Sequence, residues 1–327
     1  MFSKTHLTSE MALPREFRRL RIGLVGFGDV AARTAAWCLG RHHRRHGPRL
    51  IAIGRSSLHR LPKDLHASFQ AARHATISAD LDHRPSVRRV MALLHAAAIY
   101  LPTAESPSRS PHDSRARHLA AAIRGLTHRL PLVYLSTTGV YGNHSGAIVS
   151  ETSACRTVHP RSLRRLDAER VLRPLGAHIL RVPGINDSGD RLPLARLKAR
   201  QPALRAQDDV FTNHIHADDL ARIAFVSLFR GRPGRITNTV DQTEMKMADY
   251  FDTVADAMSL PRPPRVSREE MAALAAKGEI HPMMMGFLAD SRRVTSQRLS
   301  RELGITLQYP TIERTLDEAR HRDVGTS

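Results

Sequence analysis

The feature that most constrains the fold of this chain is the alternation of short apolar segments with helical segments between Leu20 and Val182. The apolar segments show little of the every-second-residue alternation that marks a strand with one wet face, which indicates strands buried on both faces. Buried strands that alternate with helices are typical of a parallel sheet covered by helices on both sides. The sequence therefore predicts a doubly wound α/β fold.

The predicted elements follow from this pattern and from the turn residues that separate the segments. Strands are predicted at Leu20–Val25, Leu50–Ile53, Ala75–Ala79, Ala96–Leu101, Leu132–Ser136 and Ala177–Val182. Helices are predicted at Val30–Arg41, Val87–Leu94, His112–Arg124 and Ser162–Leu172. Beyond Gly184 the sequence predicts an irregular segment over 185–213, a helix at Ala217–Phe229, a strand at Arg235–Val240, and helices at Met247–Met258, 267–277 and 291–303.

The same pattern predicts the domain organisation. Residues 1–18 lack a continuous apolar core and read as a flexible N-terminal extension. Residues 19–184, together with 214–240, are expected to form the domain that carries the sheet. The segments 185–213 and 241–327 are expected to form a smaller substrate or cap region beside it.

The charge of the chain is unusually positive. Fifty lysines and arginines stand against 31 acidic residues, which leaves a net charge of +19. Such a surface attracts anionic ligands, including phosphorylated small molecules and nucleic acids. The arginines are spread along the whole chain, however, and only 5% of the residues are aromatic, which argues against a specific nucleic-acid site. We therefore expect a small-molecule substrate, which the positive charge would allow to be anionic.

Composition also excludes several classes of protein. No apolar run approaches the ~20 residues that a membrane-spanning helix needs. Only two cysteines occur, Cys38 and Cys155, too few for a disulfide scaffold or a cysteine-rich zinc module. We expect a cytoplasmic protein, and a homodimer is compatible with the sequence. The histidines 42, 43 and 46 lie in a basic turn without carboxylate partners, so we predict no metal site. The methionines 283–285 indicate apolar packing or the lining of a substrate pocket.

The first predicted strand leads directly into a glycine turn, Gly26-Phe27-Gly28-Asp29-Val30-Ala31. In a Gly-x-Gly-x-x-Gly/Ala turn the first glycine permits the tight turn, and the second lets the backbone approach a pyrophosphate. The helix that follows offers N–H groups to the phosphates. The turn therefore predicts a dinucleotide site at Gly26, Phe27, Gly28, Asp29 and Val30, although an ordinary glycine turn would have the same residues.

The end of the second strand indicates which dinucleotide. An Asp or Glu usually accepts hydrogen bonds from the ribose of NAD there, whereas this chain has Gly54-Arg55-Ser56. A guanidinium and a hydroxyl suit a 2′-phosphate, so NADP is predicted over NAD, unless Arg55 is simply a solvated surface residue. Asp80 and Leu81, after the third strand, are candidates for contact with the adenine, although a helix N-cap is an alternative role for this segment.

The segment Val133–Gly142 (Val-Tyr-Leu-Ser-Thr-Thr-Gly-Val-Tyr-Gly) is the most specific feature of the chain. It resembles the strand and loop of the extended short-chain dehydrogenases/reductases, the NAD-dependent epimerase/dehydratase-like group. Other stretches agree in order: the glycine turn, the helix ending Ala168-Glu169, the strand exit Arg181–Ile185, the segment Asn213–Ala221 and the later Tyr309–Thr311. The resemblance covers residues 20 to about 240 and implies a Rossmann-type sheet with a smaller C-terminal substrate region.

The resemblance also implies roles for particular residues. Thr137 falls at the position of the family's catalytic Ser/Thr, which binds the reacting oxygen. Leu101, Pro102, Pro183, Gly184 and Ile185 fall among the residues that contact the cofactor.

The chain departs from the family at its acid/base pair. Family enzymes carry a Tyr-x-x-x-Lys pair on the next helix, and the corresponding positions here are Arg161 and Arg165. A guanidinium stays protonated at any ordinary pH and cannot shuttle a proton, although Arg165 could still hold a ribose or phosphate oxygen. His159 and His216 are the candidate replacements, because the intrinsic pKa of histidine suits proton transfer.

The sequence therefore predicts an atypical member of this group that binds NADP, or NAD, and acts on a carbonyl, an alcohol or a sugar-nucleotide-like molecule. The alternative is a catalytically inactive NAD(P)-binding sensor or scaffold, which the loss of the Tyr/Lys pair favours.

Overall fold

The computed structural model of the chain describes residues 20–41, 47–55, 74–99 and 110–324. The predicted N-terminal extension and the histidines 42, 43 and 46 lie outside the described residues. The described chain forms two compact units. The first contains the residues up to Leu135 together with Asp167–Ile179 and Ala221–Arg235, and the second contains Ser136–Leu166, Leu180–Leu220 and the residues from Ile236 onward. The domain boundaries predicted above stay predictions.

The strands are numbered in chain order. They are β1 (Arg21–Val25), β2 (Arg49–Gly54), β3 (Ala75–Ser78), β4 (Ala96–Ile99), β5 (Leu132–Thr137), β6 (Ile148–Val149), β7 (His178–Val182), β8 (Gly184–Asn186), β9 (Ala203–Leu204), β10 (Phe211–Thr212), β11 (His214–His216), β12 (Ile236–Asn238), β13 (Met245–Lys246), β14 (Arg265–Val266) and β15 (Arg293–Val294). Seven of them form one sheet in the order β12-β7-β5-β4-β1-β2-β3.

The helices are likewise numbered in chain order. They are α1 (Asp29–Arg41), α2 (Arg84–Met91), α3 (Ser114–Arg124), α4 (Pro160–Leu172), α5 (Leu194–Lys198), α6 (Ala217–Arg230), α7 (Met247–Ala257), α8 (Arg268–Ala276), α9 (Pro282–Leu288), α10 (Arg298–Arg301) and α11 (Ile312–Val324). The first five predicted strands and the helices between them are all present, with ends that differ by a few residues.

The seven-stranded sheet confirms the predicted doubly wound α/β fold of the Rossmann type. β1 pairs in parallel with β2 and with β4, β2 pairs in parallel with β3, and β4 with β5. The strand order reverses direction at β1, which is the switch point of this architecture. The carboxyl ends of the strands on either side of a switch point leave a crevice in which ligands of α/β proteins bind. The candidate loop after β1 begins at such an end.

Local sequence explains where several helices begin. Asp113 caps α3 by accepting a hydrogen bond from the Ala116 N–H at 2.9 Å. A proline at the first turn starts α2 three residues before the predicted position, because proline needs no backbone donor there. A capping box of Ser267 and Glu270 starts α8. These contacts fix helix ends that apolar periodicity alone leaves open.

The second unit has a hydrophobic core of its own around α7. Phe251 and Val254 on that helix are buried with Leu204, Ile312 and further residues from α8, α9 and α11. Met284 and Met285 pack against this core, as expected of apolar side chains. The predicted helix over 291–303 is wrong, because Arg293–Val294 pairs as a strand with β6 and only Arg298–Arg301 is helical. The sequence reading also missed α9 and α11.

Among the helices that the structure describes, none has the length and apolar character that would let it cross a membrane. The cytoplasmic location and the homodimer stay predictions.

Candidate functional site

The predicted glycine turn lies where β1 ends and α1 begins. Gly26 has φ = +81°, a conformation that an L-residue with a side chain rarely adopts, so glycine is required there. The Gly26 and Phe27 N–H groups donate to the Ile53 carbonyl at 2.8 and 3.1 Å, which ties the turn to β2. The Phe27 side chain is buried. The hydrogen bonds to Ile53 and the burial of Phe27 therefore hold the turn in place.

Gly28 leaves open space on the other side of the turn. A Cβ built on Gly28 would meet no heavy atom within 4 Å, and its carbonyl accepts the first backbone hydrogen bond of α1, from the Ala32 N–H at 2.9 Å. The first N–H groups of a helix have no partner within the helix and carry a partial positive charge. Open backbone at the start of a 13-residue helix fits a diphosphate group.

One acidic side chain also stands at this helix start. Asp29 is the first residue of α1, and its carboxylate accepts from the Arg33 Nε at 3.1 and 3.2 Å, while Val30 follows in the first turn. The guanidinium offsets a negative charge that would otherwise repel a bound phosphate. The pair is partly exposed, so this compensation is screened by solvent.

The predicted adenosine-side residues lie at the ends of β2 and β3. Arg55 is exposed directly after β2. Asp80 is exposed, and its carboxylate accepts from the Asp82 N–H in a local turn, so it does not cap α2, whose N-cap is His83. Leu81 is buried. The predicted contacts Ser56, Leu101 and Pro102 lie outside the described residues.

In the second unit, Thr137 ends β5 and begins a one-turn 3-10 helix, Thr138–Tyr141. Its hydroxyl accepts from the Gly139 N–H at 3.1 Å, and its side chain is half-buried. An added Cβ at Gly139 would come within 2.7 Å of the Ser162 Oγ, and one at Gly142 within 2.7 Å of the backbone of Arg156 and Thr157. The turn therefore packs along the segment 156–162.

Tyr141, at the end of this turn, is fully buried. Its hydroxyl donates to the Asn238 Oδ1 at 2.7 Å, and the Arg181 guanidinium lies 4.8 Å from the centre of its ring. Burial raises the pKa of Tyr141 above its ordinary value, although Arg181 opposes this change. Such a phenol stays protonated.

The two arginines at the positions that the sequence resemblance assigns to the Tyr/Lys pair, Arg161 and Arg165, lie on α4. Arg161 lies at the first turn, where desolvation of its guanidinium together with the nearby Arg165 and Arg164 lowers its pKa. Arg165 is 8% exposed and lies one turn further along. Neither residue can accept a proton while its guanidinium is charged. Arg165 keeps the position from which it could hold an anionic oxygen.

His159 immediately precedes α4 and faces an acidic residue that the sequence reading did not single out. The His159 Nε2 lies 3.5 Å from the Asp290 Oδ1. The other carboxylate oxygen, Oδ2, lies 3.3 Å from the Arg292 Nη1, which also donates to the Gly142 carbonyl at 3.0 Å. Burial lowers the pKa of Arg292 and the Asp290 carboxylate opposes this. No sequence signal pointed to Asp290 or Arg292.

His216 has a different environment. It is 1% exposed, its ring stacks on Tyr309 with centroids 3.6 Å apart, and its Nδ1 accepts from the Asp218 N–H at 3.2 Å. Asp219 is fully buried and accepts from the backbone N–H groups of Gln308 and Tyr309 at 2.8 to 3.0 Å. Both residues join α6 to the C-terminal segment, whereas His159 belongs to the segment along which the turn after Thr137 packs.

The predicted strand-exit residues lie at β8, which pairs in parallel with β11. Pro183 is half-buried, Gly184 is exposed and donates to the Asn213 carbonyl at 3.1 Å, and Ile185 is half-buried. Asn186, the next residue, is 1% exposed, and neither atom of its amide has a hydrogen-bond partner among the described residues. A buried amide of this kind is a candidate ligand contact.

No group of three or more His, Cys, Asp or Glu side chains within the described residues could hold a metal ion.

Comparison with protein-family models and with curated proteins gives no match. Comparison with solved structures does. A functionally unknown conserved protein from Silicibacter pomeroyi DSS is 23% identical with a TM-score of 0.68, covering 93% of this chain and 99% of that one. The dTDP-glucose 4,6-dehydratase of Bacillus anthracis str. Ames, in complex with NAD, is 14% identical with a TM-score of 0.71, covering 92% and 96%.

A third similar structure is the UDP-N-acetylglucosamine 4-epimerase of Methanobrevibacter ruminantium M1 in complex with UDP-N-acetylmuramic acid. It is 13% identical with a TM-score of 0.70, covering 95% of this chain and all of that one. These likenesses extend over nearly the full length of each protein and agree with the strand order of the sheet. The chain therefore shares the Rossmann-type α/β fold of these proteins.

Proposed function

We propose that this chain binds NAD(P) and acts as an oxidoreductase or an epimerase/dehydratase-like enzyme on the carbonyl or alcohol group of a small molecule. The observation that carries the proposal is the turn Gly26–Gly28 at the end of β1. It combines a glycine with φ = +81°, open space at the next glycine and the start of a 13-residue helix. A diphosphate bridge requires this combination of close backbone approach and available N–H groups.

The remaining cofactor contacts follow from the same proposal. Phe27, Asp29 and Val30 complete the phosphate turn, and the exposed Arg55 supports NADP over NAD because its guanidinium suits a 2′-phosphate. Asp80 and Leu81 would lie at the adenine, and Ser56, Leu101 and Pro102 remain candidates from the sequence. Arg165, Pro183, Gly184 and Ile185 would lie on the nicotinamide side.

The nicotinamide ring would supply hydride transfer, and the residues of the chain would manage the oxygen and the proton. The Thr137 hydroxyl would bind the reacting oxygen. His159 would take or return the proton of that oxygen, because Arg161 cannot do so and Tyr141 is buried and stays protonated. The chemistry would therefore use a histidine where the family uses a tyrosine.

We further propose a substrate that resembles a sugar nucleotide. Two of the similar structures are of enzymes whose names contain dTDP-glucose or UDP-N-acetylglucosamine. The net charge of +19 favours an anionic substrate. The Asn186 amide can both donate and accept a hydrogen bond, which suits a sugar hydroxyl.

The test is binding followed by turnover. Calorimetric titration at modest ionic strength with NAD⁺, NADH, NADP⁺ and NADPH should show association, and tightest binding of the NADP forms. A spectrophotometric screen for oxidation of NADPH with aldehydes, ketones and sugar nucleotides, with product analysis for epimers, should then identify turnover. Absence of binding by all four forms would refute the proposal.

A second function is favoured by one observation, the two arginines at the positions of the Tyr/Lys pair. A protein with no proton-transfer group could still bind NAD(P) and act as a sensor or scaffold. Tight binding without turnover on any of the substrates, and unchanged by replacement of His159, would support this second function.

A further inference from the structure

We infer that Asp290 is a positioning residue that holds the His159 imidazole in a single tautomer for proton transfer, with Arg292 holding the carboxylate. The inference rests on the proposed function, because it assigns the proton transfer to His159. It adds two residues from a part of the chain that the family resemblance does not involve. The experiment that tests this inference can refute it without refuting the proposed function.

Three segments of the second unit meet around His159. The turn that begins at Thr137 packs along residues 156–162, as its two glycines show. The loop that continues this turn is bonded to Ser291, whose carbonyl accepts from the His144 and Gly146 N–H groups at 3.0 Å each. The segment 290–292 is therefore attached to the loop of Thr137.

The carboxylate of Asp290 lies between two side chains. Its two oxygens face two different side chains, the Arg292 Nη1 at 3.3 Å and the His159 Nε2 at 3.5 Å. Arg292 is held in turn by its bond to the Gly142 carbonyl at 3.0 Å. The Asp290 and Arg292 side chains are only 13% and 12% exposed, so solvent screens their interaction little. The carboxylate is thus oriented before it reaches the imidazole.

This arrangement also bears on which nitrogen of the His159 ring carries the hydrogen. The His159 Nε2 is buried and forms no hydrogen bond with the residues that the structure describes, and the atom that faces it at 3.5 Å is the Asp290 Oδ1. A carboxylate only accepts hydrogen bonds, so it favours the tautomer with the hydrogen on Nε2. Nδ1 is then the basic nitrogen. Hydrogen bonds to catalytic groups are often long without substrate and shorten when substrate binds, so 3.5 Å suits a pair of this kind. A histidine oriented by a carboxylate is a recurring solution for proton transfer.

The reaction balances with these groups. In oxidation of a substrate alcohol, NAD(P)⁺ would supply the acceptor for the hydride of the alcohol carbon, and the hydroxyl proton would pass to the His159 Nδ1. The carbon–oxygen single bond becomes a carbonyl, and the imidazolium formed lies beside the Asp290 carboxylate, which stabilises the new charge. Reduction returns the same proton to the oxygen.

The test compares Asp290→Asn with the unaltered chain by ¹⁵N NMR of protein labelled at its histidine rings. His159→Gln identifies the signal. The unaltered chain should show His159 with its hydrogen on Nε2. In Asp290→Asn the amide oxygen should stay with the donor Arg292, so the amide NH₂ faces the ring and inverts the tautomer to Nδ1–H. The same variant should lose about 10²- to 10⁴-fold in kcat, with KM and cofactor affinity within about threefold of the unaltered values.

Glu244→Gln is the matched control. It removes a carboxylate that pairs with the next arginine, Arg293, at 3.0 Å, and it should change neither the tautomer nor kcat. A His159 tautomer that is unchanged by Asp290→Asn would overturn the inference, and so would an unchanged kcat.

The tautomer measurement needs neither cofactor nor turnover. Inversion without cofactor binding would refute the proposed function and leave the hold of Asp290 on His159 intact, whereas cofactor binding with an uninverted ring would refute only the inference. Equal thermal midpoints of the variant and the unaltered chain would exclude unfolding as the cause of either result.

Discussion

Replacing Gly28 by alanine adds one methyl group to the turn at the start of α1, in space that the protein leaves open. The added Cβ would meet no heavy atom within 4 Å. An alanine at a helix N-cap loses a few tenths of a kcal/mol to about 1 kcal/mol relative to glycine, whereas the lower entropy of the unfolded chain returns about 0.4–1 kcal/mol. The free energy of unfolding should therefore change by less than about 1 kcal/mol.

The effect on cofactor binding should be much larger. A methyl group between the backbone and a diphosphate removes charge-assisted hydrogen bonds worth about 1.5–3 kcal/mol each. Because every 1.4 kcal/mol is tenfold in Kd, loss of one such bond weakens binding by about 10- to 100-fold. Calorimetric titration with NADPH measures this change directly, and chemical denaturation measures stability.

Gly40→Ala provides the matched control. Gly40 lies near the end of the same helix, and a Cβ there would likewise meet no heavy atom within 4 Å. This variant should gain about 0.5–1 kcal/mol of stability from the better helix former and keep its cofactor affinity. Equal NADPH affinity in Gly28→Ala and Gly40→Ala would show that no phosphate approaches this turn.

Four further predictions follow from the two units. Arg55→Asp should weaken NADPH binding at least about tenfold while NADH binding changes less, and a constant ratio of the two affinities would refute the cofactor preference. Thr137→Ala should lower kcat by about 10²-fold or more in steady-state assays, and an unchanged rate would remove Thr137 from the mechanism. Gly142→Ala, at φ = +69° and 2.7 Å from backbone atoms, should cost about 2–4 kcal/mol in denaturant unfolding, and a smaller loss would mean that the turn can shift. Burial raises the pKa of Asp241 to about 8, so the folded chain holds a proton that the unfolded chain has released, and stability should fall as pH rises from about 4 to 8. Asp241→Asn should flatten that pH profile.

The fold was predictable because its strands are local and strongly apolar. Strand β1, for example, has four buried residues in succession, a pattern that is typical of a strand covered on both faces. Helix ends were less predictable, since they depend on single residues such as Asp113 at α3. The segment 291–303 was predicted wrongly because Arg293–Val294 pairs with a strand that lies far away in sequence. Local helix propensity cannot anticipate a partner at that distance.

The candidate site divides in the same way. The glycine turn and Thr137 are recognisable because short segments with fixed spacing carry them. His159 was a candidate only by its residue type and its place before α4. Asp290 and Arg292 had no local pattern, because their importance comes from their distances to His159 and Gly142. A constellation assembled from distant segments becomes visible only when the chain is folded.

The attachment of the Thr137 loop to the segment around Ser291 has a consequence for biosynthesis. Asn143 and Ser291, which share a hydrogen bond of 3.1 Å, are 148 positions apart. During translation most of the chain must therefore be synthesised before Ser291 is available to bind the loop. Contacts of such long sequence separation form late and slowly. A nascent chain can thus acquire its glycine turn well before the loop of Thr137 is attached to Ser291.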